Sequence, residues 1–96
     1  MDLLLFTKKE NWKKLEEKLK KDELVSGASI KIREASIVGK EGFYFYIEGT
    51  EDKIKKAREL GKELAEEVSG EEKEKIVKLL KEEEEKAIEG FGAILG

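Results

Sequence analysis

The run Phe43-Tyr44-Phe45-Tyr46-Ile47-Glu48 alternates strictly, and no other feature of the sequence constrains the fold as tightly. Successive side chains of a strand point to opposite faces, so Phe43, Phe45 and Ile47 share one face and Tyr44, Tyr46 and Glu48 the other. Gly39-Lys40-Glu41-Gly42 joins this strand to a partner drawn from Ala28 to Val38 as a hairpin. The partner changes phase: Ile30 and Ile32 have one parity, Ala35 and Ile37 the other. A period-2 strand keeps all four on one face only with an inserted residue, so a β-bulge is expected near Arg33-Glu34. Ile37 then sits opposite Phe43, Ala35 opposite Phe45 and, past the bulge, Ile32 opposite Ile47. This register gathers the hydrocarbon side chains on one face and places Lys31 and Arg33 beside Tyr44, Tyr46 and Glu48 on the other.

Around this hairpin the chain reads mostly as helix. Leu3 to Phe6 is a short continuous apolar run, as in a strand buried on both faces. Thr7 and Glu10 have capping-box spacing, and Trp12, Leu15 and Leu19 follow as one stripe, which predicts a first helix ending near Lys21 to Glu23. Thr50, followed by Glu51 and Asp52, starts a second helix, with Ile54, Ala57, Gly61, Leu64 and Val68 as its stripe. Gly61 on that stripe costs about 1 kcal/mol against Ala, so a close helix–sheet approach is expected there. Ser69 to Glu72 forms another capping box, opening a third helix that carries Ile76, Val77 and Leu80 and ends at Gly90. The uncharged Phe91-Gly92-Ala93-Ile94-Leu95 then reads as a last strand beside Leu3–Phe6, or as a contact with another subunit. The order β-α-β-β-α-α-β predicts an α+β fold, a ferredoxin-like sandwich with a mainly antiparallel sheet and its helices on one face. Residues 1–96 form a single domain with no linker. The hairpin's first strand is a sheet edge that Lys31 and Arg33 protect.

Composition then removes whole classes of function. Cys and His are absent, which excludes disulfides, Cys/His zinc sites and the usual thiol or imidazole catalysis. No nucleophile–base pair can be named, so the protein is not expected to be an enzyme, and no cofactor or metal is expected. The run Glu82 to Glu85 points around a helix rather than at one centre. No stretch is long and apolar enough to span a membrane, and Met1 to Phe6 lacks the features of a signal peptide, so a cytoplasmic location is expected. Lys and Glu dominate the 20 basic and 23 acidic residues. Thermophile proteins favour this balance, as do computationally designed scaffolds, and a thermophile source is the expectation.

The net charge is −3, with residues 1–50 at +1 and residues 51–96 at −4, so the chain lacks the basic footprint of nucleic-acid binding and nucleic acid is not an expected partner. Over seven residues, Glu41 to Ile47 resembles the aromatic strand motif of RNA-recognition-motif domains. It departs at Glu41, where that motif has a basic residue, and at Tyr44, where it has Gly or Ala. The resemblance implies an open face bearing Phe43 and Phe45, the reverse of the facing derived above. The candidate contact residues are therefore Tyr44, Tyr46, Lys31, Arg33 and Glu48 on the open sheet face, and Phe91, Ile94 and Leu95 at the C-terminus. Tyr and Arg are favoured at protein interfaces. The functional expectation is a non-catalytic association module, a homodimer or a binder of another protein, with a ligand- or RNA-binding sheet face as one alternative and a computationally designed scaffold without a function as the other.

Overall fold

A computed structural model describes the backbone of residues 1–95 and the side chains of residues 1–82. In chain order the elements are β1 (Asp2–Thr7), α1 (Trp12–Lys21), β2 (Ser29–Glu34), β3 (Phe43–Glu48), α2 (Glu51–Gly61), β4 (Ala65–Val68) and α3 (Gly70–Leu95). The four strands form one sheet in the order β2-β3-β1-β4. Every neighbouring pair is antiparallel. This is an α+β protein, and its strand order is compatible with a ferredoxin-like sandwich carrying one added helix.

The last two elements stand in the reverse of the expected order. The fourth strand is Ala65–Val68, and Gly70–Leu95 is one helix that runs through Gly90. On propensity alone Leu64 to Val68 favours helix over strand, since Leu, Ala and Glu are good helix formers and Ala and Glu are depleted in strands. Pairing decides it: β1 runs through the middle of the sheet, and β4 supplies its second neighbour, with Leu4 opposite Val68 and Thr7 opposite Ala65. The first helix also starts later than the Thr7 capping box suggests. Thr7 ends β1, and its Oγ1 donates to the Leu64 carbonyl at 2.7 Å, tying β1 to the turn before β4.

One face of the sheet carries Leu3, Leu5, Phe45 and Ile47, packed against Leu15 and Leu19 of α1 and Ile54 and Ala57 of α2. Each fully buried side chain of this size is worth about 1.5–3 kcal/mol. Trp12 stacks on Phe43 with ring centroids 4.4 Å apart, closing the core where α1 begins. Gly61 makes the close approach its position suggests, since a Cβ there would lie 2.9 Å from Leu5 Cδ1.

The other face is not open. Ile76, Val77 and Leu80 of α3 pack on Leu4, Phe6, Tyr44, Tyr46 and Val68, so the helices lie on both faces rather than one. Tyr44 is 0% exposed and Tyr46 3%. The phase change in the hairpin is real, but no bulge produces it. β2 stops at Glu34, and Ala35–Val38 forms a 3₁₀ turn that swings Ala35, Ile37 and Val38 into the second core. The register is accordingly two residues from the expected one, with Ile32 opposite Phe45 and Ile30 opposite Ile47.

Candidate interaction surface

The tyrosine face is built by β3 and β1 and roofed by α3. Tyr46 donates its hydroxyl to Asp2 Oδ2 at 2.9 Å, and Lys73 Nζ donates to the other carboxylate oxygen at 2.6 Å. The Lys73 hydrogen bond holds the Asp2 carboxyl below the usual carboxylate range, against a smaller opposing effect of burial. Burial first, and the bond to Asp2 second, push the Tyr46 phenol well above its ordinary value. Tyr44 is also pushed up by burial. Its ring lies 5.4 Å from Phe6, and its hydroxyl has no hydrogen-bond partner among the described residues. Outside it, Lys40 and Glu72 form an ion pair at 3.1 Å. Glu72 and Lys73, neighbours on α3, thus tie the helix to the β2–β3 connection and to the start of β1. Both pairs are partly exposed, and such contacts contribute little beyond orientation.

The structure brings together five of the expected contact residues. Lys31 stands opposite Tyr46, Arg33 opposite Tyr44, and Glu48 opposite both Ser29 and Asp2. The facing inferred from alternation therefore holds, but α3 buries the two tyrosines that were expected to meet solvent, and Lys31, Arg33 and Glu48 are half-buried. The face that the alternative, a ligand- or RNA-binding surface, requires is thus covered by α3 rather than open. The RNA-recognition-motif likeness fails as well, because Phe45 belongs to the core under α1 and α2. Phe91, Ile94 and Leu95 lie outside the residues whose side chains are described. Sequence reasoning missed Asp2, Lys73, Lys40 and Glu72. Asp2 and Lys73 are 71 positions apart, and nothing local marks either among so many charges.

β2 is an edge strand, as expected. Ala35 N–H donates to Gly42 O at 2.8 Å, and stepping by twos from that pair turns the backbone groups of Ile30, Ile32 and Glu34 outward from the sheet. Arg33 Nη1 donates to the outward Ile32 carbonyl at 2.9 Å, which covers one of the groups another strand would need. Beside α3, Asp2, Lys73, Val77, Lys78 and Lys81, with Glu74 and Glu82, line an open groove of about 700 Å³. Cations and carboxylates alternate along it, so it gathers no single sign of charge. Among the described residues no group of carboxylates is placed to hold a metal ion, and no helix is long and apolar enough to cross a membrane.

These features define a two-faced α+β sandwich with a basic, partly capped sheet edge. Compared with known protein families, curated proteins and solved structures, the chain matches none.

Proposed function

We propose that the protein is a non-catalytic association module that works by contact with another polypeptide, first of all a second copy of itself. The observation that best supports this reading is the length of α3. The helix has 26 residues. At about 1.5 Å per residue it is about 39 Å long. A four-stranded sheet is only about 15 Å across. The stretch up to Leu80 already covers the tyrosine face. The remainder ends in the uncharged Phe91-Gly92-Ala93-Ile94-Leu95. An apolar segment of this kind calls for cover, and a two-fold dimer supplies the same segment in return. The capped β2 edge makes strand-to-strand pairing the poorer route. A cytoplasmic setting and a thermophile source agree with the absence of Cys and the Lys/Glu balance.

Sedimentation velocity at micromolar concentrations tests the proposal. A dimer that dissociates on Ile94→Lys and Leu95→Lys substitution is expected. A single-chain particle at every concentration overturns it.

A further inference from the structure

We infer that α3 is exchanged in that dimer: each chain's α3 lies on the tyrosine face of its partner, with Ser69 and Gly70 as the hinge. The inference rests on the self-association proposed above and adds its geometry. Three observations carry it. Among the described residues, the core under α1 and α2 contains none from α3, so that layer stays closed whichever chain supplies the second roof. Among the described residues the contact to be exchanged is compact: Ile76, Val77 and Leu80 on the tyrosine face, with Lys73 on Asp2 and Glu72 on Lys40. Exchange between identical chains reproduces each of these contacts and requires no new chemistry.

The hinge is the third observation. Only Ser69 separates β4 from α3, and both Ser69 and Gly70 are exposed. Folding α3 back onto its own sheet places Gly70 at φ +66°, where L side chains are strained. A Cβ at Gly70 would meet nothing within 4 Å, so it is the backbone turn and not crowding that calls for glycine. Gly70 adopts this turn without strain, but a connection of one residue leaves little slack, and short hinges of this kind favour exchange because the partner restores the packing.

The chain has no Cys, so two can be placed without ambiguity. In the Asp2→Cys, Lys73→Cys variant a short bismaleimide links the pair that the ion bridge joins. Cross-linked dimers on a denaturing gel are expected. A dimer in solution that yields only intrachain links overturns exchange and leaves association standing, whereas a single-chain mass overturns both. The hinge gives an independent reading in the otherwise unaltered chain. Gly70→Ala is expected to strengthen dimerisation about a hundredfold, about tenfold for each of the two hinges, since it penalises only the turned-back form. Insertion of Gly-Gly-Ser after Ser69 is expected to shift it toward monomer, and a balance unmoved by either change overturns the proposal.

Discussion

Replacing Tyr44 by Phe is expected to stabilise the protein, while the same replacement at Tyr46 destabilises it. Both rings are buried beneath α3 and sit two residues apart on one strand face. They differ in what their hydroxyls meet. Tyr44 Oη has no partner among the described residues, whereas Tyr46 Oη donates to Asp2 at 2.9 Å. A buried polar group left unpaired costs about 1–3 kcal/mol, so deleting the Tyr44 oxygen should recover about 1 kcal/mol once the small void it leaves is counted. Deleting the Tyr46 oxygen removes a hydrogen bond to a charged group, a loss of about 1.5–3 kcal/mol at full burial, less here because Asp2 is partly exposed and keeps Lys73. Two chemically identical changes should therefore differ by about 2 kcal/mol. For a domain of this size that corresponds to roughly 8–16 °C in Tm. Urea unfolding followed by circular dichroism and by Trp12 fluorescence measures it, with an unchanged denaturant slope as the check that both unfold from the same compact state. Equal losses in the two variants would refute the reasoning, since they would mean that the Tyr44 hydroxyl is as well satisfied as that of Tyr46.

The pH dependence has two limbs with signs set by the same face. Asp2 is held low in the folded chain, so its contribution is complete above its unfolded value of about 4 and is lost as pH falls through the folded value; Asp2→Asn should flatten that limb in acid titrations. The tyrosines are held high, so their contribution is complete below about pH 10 and drains as the pH rises above it; the Tyr44→Phe, Tyr46→Phe double variant should lose much of that alkaline decline. Gly61→Ala gains helix propensity but forces its Cβ against Leu5 Cδ1, and should cost about 1–2 kcal/mol in chemical denaturation rather than gain stability. Lys31→Thr with Arg33→Thr uncovers the β2 edge and should raise light scattering on prolonged incubation, with little change in unfolding midpoint.

What the sequence made legible was local. Alternation assigned Phe45 and Ile47 to one face and Tyr44 and Tyr46 to the other because a strand's facing follows from its own residues. The change of phase at Ala35 was equally visible, but its cause was not. A bulge and a strand ending in a 3₁₀ turn leave the same mark on the pattern, and only the second core, which takes Ala35, Ile37 and Val38, distinguishes them. β4 was hidden because Ala65-Glu66-Glu67-Val68 becomes a strand by pairing with β1 against its own propensity. The roof over the tyrosines was hidden for a related reason. Ile76, Val77 and Leu80 mark an apolar stripe on the third helix, but nothing local says which surface that stripe covers, and it is the Tyr44/Tyr46 face of the sheet that receives it. The Asp2–Tyr46–Lys73 cluster carries no sequence signature, since its members come from three separate parts of the chain, β1, β3 and α3.

The mass of the particle in solution tests association most directly. Sedimentation equilibrium of the unaltered chain at micromolar concentration should give twice the chain mass of 10.9 kDa. A mass of 10.9 kDa maintained up to hundreds of micromolar would contradict both the association reading and the exchange of α3.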